Sequence, residues 1–251
     1  MDEFVRKLDY RKMESTNDMW NRLCLNSKWS VGCVSELIQA KSWSSKEEWE
    51  AFYYKSGEER NKLLGANAAI LNNFRMSYAQ HNSQPDSLKE INYYHGRTKE
   101  DLMEKAKVLY DAVKYNGYNL TLEDCYECVR FRTICQTWNG IVVAEAKCID
   151  ILSKLYPTLE FAKAQGDVDY EYEVDYEVKK DGKVILGMQI KPHSYLWNSP
   201  YLVSARRINQ LKYAAYKKAT GADVQVVVYN KKEASYIINL DEIARKIKSV
   251  L

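Results

Sequence analysis

Apolar residues along the first half of the chain recur every three or four positions, the spacing of helices with one buried face. Val31 to Ala40, Lys46 to Lys55 and Glu58 to Ala79 are read as helices on this ground. Ser45-Lys46-Glu47-Glu48 forms a capping box ahead of Trp49 and Phe52-Tyr53. The stretch Gln80 to Asn92 is rich in turn formers and is the loop expected of this region. Thr98 with Asp101 starts a helix through Tyr115, and another begins near Thr121. Trp138 to Leu155 is a further helix, with Ile141, Glu145, Cys148, Ile149 and Leu152 on one stripe. A carboxylate on such a stripe is costly unless it is paired or holds a cation.

The period then changes from helical to two. From Gly166 to Tyr195 the chain alternates twice around a glycine turn, the mark of a β-hairpin. The first arm puts Asp167, Asp169, Glu171, Glu173, Asp175 and Glu177 on one face. The second arm puts Val184, Leu186, Met188 and Ile190 on one face and Gly187, Gln189 and Lys191 on the other. A three-residue loop, Lys180-Asp181-Gly182, sets Asp175 opposite Gly187 and Glu173 opposite Gln189. A two-residue loop, Asp181-Gly182, sets Asp175 opposite Met188 and on the wrong face, so the three-residue register is expected.

Proline at 192 ends the pairing. Tyr201 to Thr220 comes next as a helix with Ile208, Leu211 and Ala215 as its apolar positions and Arg206, Arg207, Lys217 and Lys218 as polar ones. Val224 to Tyr229 is a buried strand, Ser235 to Ile238 its antiparallel neighbour, and Asp241 opens a terminal helix. The order helix, strand, turn, strand, helix, strand predicts a mixed α/β sheet with helices on both faces. Residues 1–120 are then a mainly helical region and 121–251 an α/β core, as two regions or one continuous domain.

Composition narrows the class. The chain has 251 residues, 46% of them hydrophobic, and no apolar run near membrane-spanning length. The charged start MDEFVRKLDYRK argues against a secretory signal. The six cysteines show no disulfide framework, and reduced thiols in a cytoplasmic protein are expected. Cys125 and Cys128 lie one helical turn apart, but no set of four zinc ligands has suitable spacing. The net charge is only +3, yet from Tyr176 onward fourteen Lys/Arg face six Asp/Glu. Positive charge directly after an acidic arm fits a surface for a polyanion beside acids that hold cations; solvated lysine-rich helices are the plainer explanation.

Phosphodiester hydrolysis needs a divalent cation, and Mg²⁺ favours one or two carboxylates with several waters. Asp175 and Glu145 can supply the carboxylates and Ile190 a main-chain carbonyl. Lys191 can orient water or stabilise the transition state, while Gln189 offers only a neutral amide. Glu36 is the alternative helix-borne acid, Asp169 the alternative to Asp175, and Glu173 a further acid. His95, Arg97, His193, Arg206 and Arg207 are the candidate DNA contacts, with base and phosphate roles left open.

The acid, hairpin and Gln189-Ile190-Lys191 arrangement resembles the PD-(D/E)XK nuclease superfamily in a Gln-x-Lys form. More closely, the chain resembles type II restriction endonucleases of the MjaI family. The matching pieces are Val34-Ser35-Glu36-Leu37-Ile38, Trp49-Glu50-Ala51-Phe52-Tyr53, His95-Gly96-Arg97-Thr98, Val174-Asp175-Tyr176-Glu177 and Met188 to Tyr195. This resemblance implies a PD-(D/E)XK-like mixed sheet and Mg²⁺-dependent cleavage of double-stranded DNA at a short palindrome. It also implies a homodimer, pairing with a DNA methyltransferase, and CTAG as the first sequence to test. Gln189 stands where the superfamily carries an acid. Two other readings stay open: a PD-(D/E)XK nuclease of repair or recombination, and a non-catalytic DNA-binding module.

Overall fold

In the computed structural model the described residues are 2–164, 167–231 and 236–251; the side chains at 167, 169, 170 and 201 lie outside that description. The chain divides into two compact units, 1–143 and 144–251. No helix among the described residues is long and apolar enough to cross a membrane.

The first unit is helical. Its principal helices are α1 (Lys46–Leu64), α2 (Lys99–Tyr115) and α3 (Leu122–Arg130). Trp49 and Tyr53 from α1, Leu102 and Leu109 from α2 and Cys125 and Val129 from α3 are all fully buried in one core. Each helix starts at a hydroxyl cap, Ser45, Thr98 or Thr121, as the sequence signals require. Helix α1 fuses the expected Lys46–Lys55 helix with the start of the next and stops at Gly65, where φ is +54°.

The expected loop at residues 80–92 is instead helical, as Tyr78–Asn82 and Asp86–Tyr93. Its polar residues cap and pair locally: Ser77 with Gln80 forms a capping box, and Pro85 precedes the second helix. His81 is buried, stacked on Trp29 at 5.3 Å and bonded to the Tyr93 hydroxyl at 2.7 Å.

The segment His95-Gly96-Arg97-Thr98 is a structural hub. Arg97 is fully buried. Its Nη1 donates to the carbonyls of His95 and Gly96, and its Nη2 to those of Trp29 and Asn92 and to Asn92 Oδ1. Gly57 and Gly96 allow the backbones to meet: a Cβ at Gly57 would lie 2.2 Å from the Arg97 carbonyl carbon, and one at Gly96 would lie 2.2 Å from the Tyr53 oxygen. Asp101, capping Thr98, also accepts from Asn61 and Asn72. Arg97 is therefore buried in this fold with both Nη groups turned onto main-chain carbonyls rather than outward.

From α3 the chain continues through two π-wound segments, Phe131–Cys135 and Trp138–Glu145, into α4 (Ala146–Leu155). The second unit is built on a four-stranded sheet in the order β1-β2-β3-β4: β1 (Glu160–Lys163), β2 (Tyr176–Lys180), β3 (Lys183–Pro192) and β4 (Asp223–Tyr229). The first two pairings are antiparallel and β3·β4 is parallel. Helix α5 (Asp167–Tyr172) lies between β1 and β2, α6 (Pro200–Thr220) between β3 and β4, and α7 (Leu240–Val250) ends the chain.

Strand β1 has only four residues, too few to show an alternation in the sequence. The supposed first hairpin arm is strand only from Tyr176; residues 167–172 form a helix whose Val168 and Tyr172, one turn apart, pack with Ala164, Tyr216 and Ala222. The side chain of Asp169, the alternative to Asp175, lies outside the described residues. So does Ser235 of the expected last strand, although Ile237 bridges Tyr229 antiparallel.

The hairpin turn has two residues, with Asp181 at φ +51° and Gly182 at φ +76°, the left-handed pair of a type I′ turn. The three-residue register is thus corrected. Face parity survives because a bulge lies between: Lys179 pairs with Val184 but Val178 with Leu186, so Ile185 is the extra residue. Beyond it Glu177 opposes Gly187 and Tyr176 opposes Met188. Leu186, Met188 and Ile190 enter one core with Cys148 and Leu152 of α4 and Ile243 and Ile247 of α7. Val184, before the bulge, switches to the opposite face with Tyr216. Gly187 is required there: its Cβ would lie 2.9 Å from Tyr216 Cε1.

Helix α6 turns a different face inward than its apolar spacing predicts. Ile208, Leu211 and Ala215 are exposed, whereas Asn209 and Tyr216 are buried. The sheet face it covers carries polar Gln189 and Glu177, so hydrogen-bonding side chains are selected on the inner side.

These contacts set two stability outcomes. Replacing Arg97 by alanine strands several buried carbonyls and should cost at least about 3 kcal/mol in urea unfolding; unchanged stability with weakened DNA binding would restore a contact role. Gly187→Ala drives a methyl into the Tyr216 ring and should cost about 1–3 kcal/mol by the same measurement.

Candidate active site

The site is assembled where β2 begins. The Asp175 N–H donates to the Met188 carbonyl at 2.8 Å, while its Oδ2 accepts the N–H of Ile190 at 2.6 Å. A carboxylate thus takes a ladder position past the end of β2 and is held in the plane of the sheet. In an extended strand the N–H and C=O of one residue point to the same edge. The Ile190 carbonyl therefore also faces the side on which Asp175 sits.

On the face covered by α4, Glu145 Oε2 accepts from Lys163 Nζ at 2.6 Å. Lys163 is positioned by pairing with Tyr176 across β1·β2, and its ammonium lies 4.7 Å from that ring centre. Burial pulls the Lys163 pKa down, but the charge and hydrogen bond of Glu145, followed by the charge of Asp175, hold it above the ordinary lysine value. Glu145 and Asp175 therefore both act on a single ammonium.

On the face covered by α6, Gln189 is fully buried and hydrogen-bonded at both ends of its amide. Its Oε1 accepts from Asn209 Nδ2 at 3.1 Å and from the Tyr213 hydroxyl. Burial, then neighbouring Tyr195, pushes the Tyr213 pKa up, so Tyr213 is a neutral donor at physiological pH. The Gln189 Nε2 donates to Glu173 Oε2 at 3.1 Å. Glu173 is also 3.8 Å from Lys191 Nζ and 3.1 Å from Lys212 Nζ. Its backbone has φ +57°, a conformation uncommon for a non-glycine residue.

Asp175, Gln189, Ile190, Lys191 and Glu145 are thus gathered at one end of the sheet, divided between its two faces with Asp175 at the junction. Glu36 belongs to the first unit, exposed and 3.6 Å from Lys28. His95 is half-buried there, with Nδ1 3.0 Å from the Ile91 carbonyl. His193 is exposed and lines a cavity of about 350 Å³ with Trp197, Tyr229, Asn230 and Lys231. Arg206 binds the carbonyls of Tyr195 and Trp197, tying the segment after β3 onto α6, whereas Arg207 is exposed. Lys163, Lys212, Asn209 and Tyr213 join the site without having been expected from the sequence. The last three are hidden there by the apolar spacing of α6, which points to the wrong inner face, and Lys163 by the shortness of β1.

Among the described residues no three His, Cys, Asp or Glu side chains converge as a metal-ligand set. The donors at the strand end are two carboxylates and a carbonyl, hard oxygens that suit Mg²⁺ retaining several waters. Cys125 and Cys135 are buried thiols whose pKa values burial pushes up to about 12, as expected of unreactive core cysteines.

No curated protein and no solved structure matches the chain. A family model described as MjaI restriction endonuclease matches residues 16–245, nearly the whole length and both units. The chain therefore belongs to the MjaI restriction endonuclease family, and it is a nuclease whose partner is DNA.

Proposed function

We propose that the protein is a Mg²⁺-dependent type II restriction endonuclease of PD-(D/E)XK fold, hydrolysing double-stranded DNA at a short palindrome. The observation that carries this reading is the placement of Asp175 against Ile190, with Lys191 on the adjoining face of the same strand. The element order α4-β1-α5-β2-β3-α6-β4, with two antiparallel pairings and one parallel pairing, supports the fold assignment.

Asp175, Glu145 and the Ile190 carbonyl would hold the metal, which supplies charge to stabilise the transition state and acidifies water. Lys191, about a quarter exposed, orients the attacking water and faces the developing negative charge. The Ile190 N–H fixes the Asp175 carboxylate before substrate arrives, so little reorganisation is required. Lys163 holds Glu145 and offsets its charge until the site is loaded. Arg207 and His193, both exposed in the second unit, are the DNA contacts retained from the sequence, with His95 in the first. Arg206 acts by shaping the segment that carries His193.

A palindromic target implies a two-fold homodimer, each subunit cutting one strand. A cognate DNA methyltransferase would protect the host's own sites. CTAG is the first target to test.

Digestion of a sequenced plasmid with purified protein and Mg²⁺, followed by end mapping, should yield discrete fragments ending at one palindrome. Preference for branched DNA would instead favour a repair or recombination nuclease. Lys191→Ala and Asp175→Asn should each reduce the single-turnover cleavage rate by about a hundredfold or more, with DNA affinity in Ca²⁺ retained for Lys191→Ala. Undiminished cleavage in either variant would remove that residue from the mechanism.

A further inference from the structure

The residue in the motif's acidic position is an amide, and its contacts show how the site accommodates the exchange. Gln189 is fully buried, and its oxygen is turned away toward α6, where Asn209 and Tyr213 both donate to it. That oxygen is committed as an acceptor and is a poor metal donor. The other end of the amide, Nε2, points at Glu173. Because a carboxylate at 189 has no N–H, it could not make this contact and would repel Glu173. The glutamine is therefore matched to a carboxylate supplied from elsewhere.

Resting on the Mg²⁺-nuclease reading above, we propose that Glu173 replaces the acid missing at position 189, and that Gln189 is its positioning residue. Three observations converge on Glu173. Its side chain is 38% exposed, so it can reach a substrate-bound cation. Its carboxylate lies 3.8 Å from Lys191 Nζ, beside the lysine of the motif. Its backbone occupies a left-handed conformation at φ +57°, two residues before Asp175, where the chain leaves α5 to enter β2. A non-glycine residue is rarely kept in that conformation without a reason, and the geometry directs this side chain back over β3.

The arrangement also accounts for Lys212. Lys191 and Lys212 both approach Glu173, as Lys163 approaches Glu145. Among the described residues, Glu145 and Glu173 thus each carry resident ammoniums, and Asp175 acts on Lys163 as well. A divalent cation would have to compete with these resident ammoniums, so its affinity for the protein alone should be low. A DNA phosphate adds the negative charge that makes the cation welcome.

The test uses the full-length protein, with Mn²⁺ binding followed by electron paramagnetic resonance and Ca²⁺-dependent DNA affinity as readouts beside cleavage. Glu173→Gln should weaken Mn²⁺ binding in the presence of DNA by about tenfold or more and reduce cleavage by about a hundredfold. Gln189→Glu alone should impair both, since it places two carboxylates together. Combined with Glu173→Gln, it should recover a large part of both by returning an acid to position 189 beside an amide at 173. Circular dichroism and unfolding midpoints verify that each variant folds. Wild-type Mn²⁺ affinity with Glu173→Gln, or a double variant no better than the worse single one, would overturn the inference while leaving wild-type cleavage, and so the nuclease reading, intact. If wild type fails to cleave any DNA, the nuclease reading falls separately, and the metal-binding comparison still decides the role of Glu173.

Discussion

The hydrogen bond from the Ile190 N–H to the Asp175 carboxylate is the contact that organises the strand end of the second unit. It makes an acidic side chain the continuation of a β-ladder, so an ionised group is held at the sheet's end by the same geometry that pairs the strands. Everything placed by β3 is thereby referenced to Asp175: the Ile190 carbonyl along the edge, Lys191 on one face and the α4 side on the other. Each face then adds its own polar layer. Glu145 and Lys163 lie toward α4, and Glu173, Gln189 and Lys212 toward α6. A charge cluster of this kind is stable at partial burial only because every carboxylate has a cation or an N–H beside it.

Much of this is legible in the chain, but for reasons that differ from residue to residue. The alternation of Leu186, Gly187, Met188, Gln189, Ile190 and Lys191 is real, and it places Gln189 and Lys191 on one face because β3 is regular beyond its bulge. The turn is misread by parity counting, which treats a hairpin as a rigid ladder. A two-residue turn and the extra residue Ile185 shift the register twice, and the two shifts together return Asp175 to the useful side. Nothing in the hydropathy of Val184-Ile185-Leu186 distinguishes a bulge from three strand residues. The acidic strip fails for another reason: Val168 and Tyr172 satisfy both a strand and one helical turn, and packing against Tyr216 decides for the helix.

Helix α6 carries the same lesson in reverse. Its aliphatic residues Ile208 and Leu211 point to solvent, because the sheet face beneath it is occupied by Gln189 and Glu177. A helix over a polar site buries Asn209, Tyr213 and Tyr216 instead, so hydrophobic spacing alone misplaces its inner face. In the first unit the His95-Gly96-Arg97-Thr98 segment has the look of a DNA-reading motif yet acts as a brace. Arg97 answers the carbonyls of Trp29, Asn92, His95 and Gly96, and Gly57 and Gly96 let the backbones close upon it. A conspicuous arginine thus serves cohesion there, while Arg207 of α6 is exposed.

In the proposed nuclease, one cation-dependent site is built at the β2–β3 end from acids on different elements. Anomalous diffraction from crystals of the protein with uncleaved DNA and Mn²⁺ tests this most directly. A manganese peak bounded by oxygens of Asp175 and the Ile190 carbonyl is expected, with Glu145 or Glu173 completing the protein ligands. A peak coordinated by other residues, or DNA bound with Mn²⁺ absent from this strand end, would contradict it.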